Sequence, residues 1–566
     1  MEGRRRRAVD PFSQRVTDRH IRQPGQWSAT AGAILSGMSL RARLVLLAAL
    51  SVGVFLVGVE LMVTAVALPQ ILADLADWTR LREASWIING YLVAYVAAMP
   101  LAGRAADRFN LPVLFGVSLA TFALGSLLAG AAPNLEWLIA ARVIQGLGAG
   151  AIVPLATAGA SHLFEGSARA RAIGVVTALT FLGMAAGPFI GATILETFQL
   201  PGTGLLTPAW RWVFYLGAPF ALLAVVYTWA SSTDWPRSRD RSGLDLIGAG
   251  LFTAGVATGL LALTTIGTEP SGVFSPLPLA IVSAVTLGAA IVRFATGRSP
   301  FIELRFFRDR TFSGAVLLSL LTGYGLATAI IGGAVFVDRV RYGGPDEQQL
   351  ALGGLAGAMA IGALGSGFIL NRIGVVVPTL VGLALSVAGL WWLSTATPSS
   401  PIGLLVGGLA MFGFGFGLTV TARSSAAVEA LGRAAFGAAS AGVTVARMLG
   451  MGVGLAALTV LGASRIEALS VVLVDQAARD AALPPELRGR PLEDYLVVNA
   501  LESWAAGQAA SILSTLFLVA AAVTAVAILP TLAMRNRPTA AAVGWRDERE
   551  DVNDATAGAS GAGINI

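Results

Sequence analysis

From about residue 44 to residue 534 the chain alternates apolar runs near 20 residues long with short breaks rich in arginine, glycine and proline. A helix rising 1.5 Å per residue needs a run of that length to cross about 30 Å of bilayer hydrocarbon. The pattern predicts helices at about 44–70, 84–103, 111–132, 136–160, 172–197, 211–231 and 244–266. Seven more follow at about 277–297, 312–337, 349–371, 375–395, 402–422, 436–462 and 510–534. The expected fold class is all-α, a polytopic membrane protein with 14 transmembrane helices.

Composition agrees with lipid as the solvent. Of the 566 residues, 55% are hydrophobic and 13% charged, about half the charged share of a soluble domain, near 25%. The 67 glycines are spread through the apolar runs, where small residues let helix backbones approach one another. The absence of cysteine excludes disulfides, thiolate metal sites and cysteine nucleophiles. His20 and His162 fall outside the apolar segments, and all 39 basic residues are arginine, so no Walker lysine is present. With no Gly-x-Ser-x-Gly elbow and no His-Glu-x-x-His helix, an enzyme is not expected. No metal or cofactor is expected either.

Charge orders these helices across the membrane. The net charge is +6 and the sequence pI about 10.2; in a soluble domain that would suggest nucleic acid, which topology makes unnecessary here. With an even number of spans both ends share one side, which 27 arginines flank, while eight lie opposite. The positive-inside rule makes that side cytoplasmic, giving a multi-pass protein of the plasma membrane with both termini in the cytoplasm. The Arg4 to Arg7 run reads as a cytoplasmic flank and not as a signal peptide, because no apolar stretch with a cleavage site follows it.

Three patterns recur late in the chain at nearly one offset. Gly103-x-x-x-Asp107-Arg108 returns as Gly367-x-x-x-Asn371-Arg372, a shift of 264. Gly146-x-Gly148-x-Gly150 returns as Gly413-x-Gly415-x-Gly417, and Leu182-Gly183-Met184-x-x-Gly187 as Leu449-Gly450-Met451-x-x-Gly454, both shifted by 267. Duplicated halves of this kind are a mark of transporters. The expected domains are a cytoplasmic tail (1–43), a six-helix bundle (44–231), a linker with two extra helices (232–311), a second six-helix bundle (312–534) and a disordered tail (535–566). Within the second bundle an extracytoplasmic segment, 465–508, carries an amphipathic spacing at Ile466, Leu469 and Leu473 that Pro484-Pro485 ends; it caps the bundle or docks a partner.

Ionisable residues inside a bilayer are costly, about 2.5–3.5 kcal/mol at a helix centre, and each needs a reason. Glu60 in the first helix and Arg142 in the fourth lie at similar depth, about 10–14 Å below the outer surface at 1.5 Å per residue. Arg447 lies near mid-membrane in the other half, so one cavity between the halves can hold all three. Burial disfavours a charged carboxylate and a facing arginine favours it; protonating Glu60 would release the pair. A static pair that merely orients helices is the alternative. Trp86, Asn89, Tyr91 and Tyr95 of the second helix and Gln145 of the fourth complete an apolar cavity with a few polar handles, although Trp86 also suits an interfacial aromatic belt. In the fifth helix Gly183, Gly187 and Gly191 form one smooth face with Pro188 beside it, a close-packing groove.

Together these motifs carry a resemblance. Gly103-Arg104-Ala105-Ala106-Asp107-Arg108 resembles the loop-two signature of the major facilitator superfamily, and Arg142-x-x-Gln145-Gly146 its helix-four signature. Gly183-x-x-x-Gly187-Pro188-x-x-Gly191 is similar to the helix-five motif of proton-coupled antiporters. Glu60 followed by Ala67-Leu68-Pro69 resembles helix one of fourteen-helix drug exporters, which usually carry aspartate at the Glu60 position. Ser85-Trp86-Ile87, Ala97-Ala98-Met99-Pro100-Leu101 and Val445-Ala446-Arg447-Met448 resemble an actinobacterial subgroup of drug and triacylglyceride exporters that work with a lipoprotein. The resemblance implies the major facilitator fold in a six-plus-two-plus-six plan, alternating access, a latch at Gly103, Asp107 and Arg108, and a place for Arg447 in the central charge network. Two departures stand out: Asn110, Leu111 and Pro112 replace the glycine and basic residues that continue loop two, and Phe181 stands near where such exporters carry a carboxylate in helix five.

The function expected is a proton-coupled exporter of apolar or amphiphilic small molecules such as drugs. The alternative is a lipid or glycolipid exporter that hands its cargo to an extracytoplasmic lipoprotein. The partners expected are the lipid bilayer and the substrate, with that lipoprotein as a further one.

Overall fold

The computed structural model of the chain describes residues 39–75, 86–106, 109–198, 206–230, 245–265, 275–297, 303–432, 435–491 and 493–534. The chain divides into a short unit, Met1–Val45, and a large one, Leu46–Ile566. Among the described residues there is no strand, and fourteen long helices follow in order. The first seven are α1 (Leu40–Leu75), α2 (Trp86–Ala106), α3 (Leu111–Gly130), α4 (Leu135–Leu163), α5 (Gly166–Thr197), α6 (Trp210–Ala230) and α7 (Leu246–Thr264). The rest are α8 (Pro276–Thr296), α9 (Arg310–Val335), α10 (Pro345–Ile373), α11 (Val376–Ser394), α12 (Ile402–Leu431), α13 (Phe436–Val474) and α14 (Tyr495–Ala533).

Thirteen of these are long and apolar enough to cross a membrane outright. The fourteenth, α7, has a shorter apolar stretch, Ile247–Leu263, still within the roughly 17–25 residues a span requires; it pairs with α8. Large apolar side chains point outward, among them Phe220, Leu223 and Val226 of α6 and Leu277, Val285 and Val292 of α8. Only lipid solvates such a surface while helices satisfy their own backbone groups. The architecture is the all-α polytopic one that the apolar pattern predicts.

Local chemistry sets the helix ends. The side chains of Asn110 and Asn134 accept hydrogen bonds from Val113 N at 3.3 Å and Trp137 N at 2.8 Å, capping α3 and α4. The departure at Asn110-Leu111-Pro112 thus starts a helix, since Pro112 sits in the first turn where its missing N–H costs nothing. Gly374 and Gly432 stop α10 and α12 in the left-handed region, with φ of 77° and 73°.

The repeated glycines make matching contacts in the two halves. A Cβ on Gly146 or Gly150 of α4 would overlap the backbone of Tyr91 or Tyr95 on α2, and one on Gly413 or Gly417 of α12 would overlap Leu355 or Met359 on α10. Gly183 of α5 meets the Phe55 carbonyl of α1, as Gly450 of α13 meets that of Leu320 on α9. Across the halves, Gly103 of α2 abuts Gly437 of α13, and Gly367 of α10 abuts Ala170 and Gly174 of α5. Both cross-contacts lie on the side where α1 starts and α14 ends, so the halves meet closely there.

Several helices run past their apolar stretches, the last three furthest. α12 continues from the predicted end at 422 to Leu431, carrying buried Arg423 and half-buried Glu429 against protein, where lipid does not set the cost. α13 continues from 462 to Val474, so the amphipathic helix expected around Ile466 is the tail of a longer one. α14 starts at Tyr495 instead of 510, capped by the Asp494 side chain on Leu496 N at 3.0 Å. Between them a short helix, Gln476–Ala482, leads to Leu483, buried against Val497 and Leu501, so this stretch packs on the start of α14. His162, expected outside the helices, lies in the last turn of α4 and packs on Phe436 with ring centroids 5.1 Å apart.

Candidate substrate and proton site

The glycine contacts bring α1 between α5 and α4. Gly58 of α1 faces Thr180 and Met184 of α5; two residues on, about 200° round the helix, Glu60 points the other way. There Arg142 Nη1 of α4 donates to Glu60 Oε1 at 2.5 Å. Glu60 is 3% exposed and Arg142 1%. An ion pair so fully removed from water survives only with good geometry and further hydrogen bonds.

Those further bonds are present. Thr64 Oγ1, one turn along α1, donates to Glu60 Oε1 at 3.1 Å. Arg142 Nη1 also donates to Gln145 Oε1 at 2.6 Å, and its Nε to the Ile87 carbonyl of α2 at 3.2 Å. Gln145 Nε2 donates to Ser126 Oγ at 3.3 Å, and that hydroxyl to the Phe214 carbonyl at 2.7 Å. The guanidinium lies 4.2 Å over the Tyr91 ring, a favourable cation–π position. Removing the Glu60 charge would therefore leave Arg142 with several partners, so the pair can open without stranding the arginine.

Tyr91 carries the site toward the other half. Its ring stacks on Tyr95 with centroids 5.9 Å apart, and Tyr95 interacts electrostatically with Arg447 of α13. Arg447 makes no ion pair with Glu60 among the described residues, so the three charges expected in one network are joined through two aromatic rings. Tyr91, Tyr95 and Gln145 are buried, while Trp86 and Asn89, on either side of Ile87 in the first turn of α2, are half-buried and among the described residues make no hydrogen bond to the pair. Phe181 lies edge-on to Phe416 at 6.1 Å, and Phe416 in turn underlies the guanidinium of Arg423 at 5.1 Å.

The helix-five motif grips α1. A Cβ on Gly187 would stand 2.8 Å from Met62 Cβ, and one on Gly191 3.0 Å from Val63 Cγ2; Pro188 is buried within the continuous helix. Of the latch residues, Gly103 forms the tight contact with α13, while Asp107 and Arg108 lie outside the described residues. Their neighbour Arg104 pairs with Glu303, just before α9, at 3.3 Å. Two other arginines at helix ends have structural partners: Arg211 donates to the carbonyls of Gly130 and Ala132 at 2.9 and 2.7 Å, and Arg293 pairs with Asp245 at 2.6 Å.

The helix predicted at 402–422 ends one residue before Arg423 and so leaves it among the arginines flanking the membrane. Arg423 is fully buried inside α12 and donates to Thr322 Oγ1 of α9. The stop signal at Gly432, nine residues further on, is the feature that would have placed it within the helix.

A buried acid–base pair inside the first of two tightly packed, duplicated helical halves fits a membrane transporter, and the comparisons agree. A profile of the Major Facilitator Superfamily matches residues 50–455. A triacylglyceride transporter of Mycolicibacterium hassiacum is 36% identical over 414 residues, spanning 70% of this chain and 74% of that protein. A triacylglyceride transporter of Mycobacterium tuberculosis is 32% identical over 429 residues, spanning 72% and 79%. Among solved structures, the proton:xylose symporter XylE aligns with a TM-score of 0.55 at 14% identity, covering 85% of this chain and 95% of its own. A bacterial homologue of the human lysosomal transporter Spinster, inward-facing, aligns at 0.53 and 18%, covering 88% and 100%. The chain belongs to the major facilitator superfamily. It is a multi-pass membrane transporter and not an enzyme.

Proposed function

We propose that this transporter is a proton-coupled exporter of lipid-like amphiphiles, with Glu60 as the proton carrier and Arg142 as its counter-charge. The observation that carries the reading is the buried pair at 2.5 Å between α1 and α4. A proton arriving from the outer side neutralises Glu60, the pair opens, and the halves 44–231 and 312–534 rock to expose the cavity inward, where substrate replaces the proton. Each proton crossing 100 mV supplies about 2.3 kcal/mol. The arginine count makes the side on which α1 starts cytoplasmic in a plasma membrane. Similarity to triacylglyceride transporters at 36% and 32% identity favours lipid cargo, and drugs share the amphiphilic chemistry of the site.

The test is flux in proteoliposomes under an imposed pH gradient, with fluorescent triacylglycerol and ethidium as cargoes. Glu60→Gln is expected to insert normally and lose at least about tenfold of gradient-driven flux, the scale of one lost 1.4 kcal/mol coupling. Normal coupling in that variant ends the carrier assignment, and the ratio of the two cargoes decides between lipid and drug. An extracytoplasmic lipoprotein partner would dock on the 465–508 segment. Replacing residues 475–491 by a glycine-serine linker should then abolish lipid transfer to the outer face while sparing ethidium flux; unchanged transfer removes that partner from the reading.

A further inference from the structure

The C-terminal half holds two cations for which the coupling pair has no use. Arg423 of α12 is fully buried; its Nη1 bonds Thr322 Oγ1, and its Nε and Nη2 have no hydrogen-bond partner. Arg447 of α13 is 9% exposed, and its Nε is also unpartnered. α9 brings them together: Thr322 takes the side chain of Arg423, and the next residue, Gly323, rests on the backbone carbonyl of Arg447. One turn earlier the buried hydroxyl of Ser319 likewise lacks a partner.

Other buried arginines in the structure have a carboxylate: Arg142 has Glu60, Arg104 has Glu303 and Arg211 has Asp74. Among the described residues Arg423 and Arg447 have none, and they also repel each other. Two like charges with open donors in a low-dielectric interior are unfavourable until an anion arrives. Guanidinium forks fit the paired oxygens of a carboxylate or phosphate. Beside them the rings of Phe181, Phe416 and Phe412 follow one another through the buried core, the last two stacked at 5.9 Å, an apolar run that suits hydrocarbon.

We propose that Arg423 and Arg447 bind the anionic oxyacid headgroup of an amphiphilic substrate, with its acyl chain along the Phe181, Phe416 and Phe412 rings. This rests on the export reading and adds a headgroup preference within it: an acyl chain bearing a carboxylate or phosphate binds more tightly than the neutral or cationic amphiphile of the same chain. The two arginines bind the headgroup in the half opposite the proton carrier.

The experiment measures equilibrium binding to the purified full chain in nanodiscs without any gradient, by competition against a fluorescent acyl probe. The competitors are oleate, oleoyl lysophosphatidate, monoolein and oleylamine. At least one anion is expected to bind about tenfold or more tighter than monoolein, and oleylamine more weakly than either anion. Preference for oleate alone identifies a carboxylate source, and preference for lysophosphatidate alone a phosphate source. Arg423→Gln and Arg447→Gln should each cut the anion preference while leaving monoolein binding within about twofold. Equal affinity for monoolein and both anions in the unmodified protein overturns the proposal, as does a preference that survives both substitutions. Should either variant fail to insert, the headgroup series on the unmodified chain decides. Because no gradient is applied, this outcome stands apart from the flux result with Glu60→Gln.

Discussion

Glu60 and Arg142 are each held by several neighbours, and each neighbour sets part of the geometry of the pair. Gln145 accepts from Arg142 and donates to Ser126, so it holds the guanidinium at the angle that reaches Glu60. Gln145→Leu removes one acceptor from a buried arginine and should lower stability by about 1–3 kcal/mol, read as earlier unfolding in detergent denaturation. It should also weaken gradient-driven flux more than binding, because it disturbs the geometry of the pair and not the substrate wall. Thr64→Val removes the donor on the other side of the carboxylate and should lower gradient-driven flux without preventing insertion. Candidate charges were legible at this scale because an ionisable residue in an apolar run is conspicuous. Arg423 was not, since it stands just beyond the apolar run and only the packing of α12 shows that it is buried.

Helices in this protein are matched through glycine. Gly183 of α5 and Gly450 of α13 lie against backbone carbonyls of α1 and α9, so a larger residue at either must push a helix away. Gly183→Val and Gly450→Val should each destabilise by about 1–3 kcal/mol, with loss of flux, whereas Gly357→Ala on α10, where nothing lies within 4 Å, should be close to neutral in the same unfolding assay. The start of α14 offers a pH test. The N–H of Leu496 and the Arg490 guanidinium hold the Asp494 carboxyl below its usual range. A depressed folded value means that the cap contributes fully above the unfolded pKa and is lost as pH falls through the folded one. Hydrogen exchange in the first turn of α14 should therefore speed up on acidification below about pH 4 relative to its pH-corrected intrinsic rate, and Asp494→Ala should show the faster exchange already at neutral pH. Element existence was readable from hydropathy, but the ends of α12, α13 and α14 were not, because a helix continues past its apolar run wherever protein covers it.

In the whole molecule, α2 meets α13 and α5 meets α10 closely on the side where α1 starts. Alternating access requires those contacts to part. The chain has no cysteine, so a disulfide between Gly174→Cys and Gly367→Cys can be introduced without background. Oxidation should stop flux and dithiothreitol should restore it; undiminished flux when fully cross-linked would mean that this seam does not open. Gly367 belongs to the repeat of the loop-two pattern, which ties the sequence duplication to the place where motion is tested.

The amino-acid sequence alone determined the solvent, the helix count, the duplicated plan and the candidacy of Glu60 and Arg142, because burying charge in lipid is so costly that apolar length and rare ionisable residues are read directly. Tertiary structure alone decided which charges meet. Glu60 finds Arg142 since α5 holds α1 against α4, Arg447 is reached through Tyr91 and Tyr95, and Arg423 is enclosed by α9 and α12 with no acid beside it among the described residues. Side-chain partnership depends on which helix faces turn together, and that follows from the fit of small residues across many helices at once.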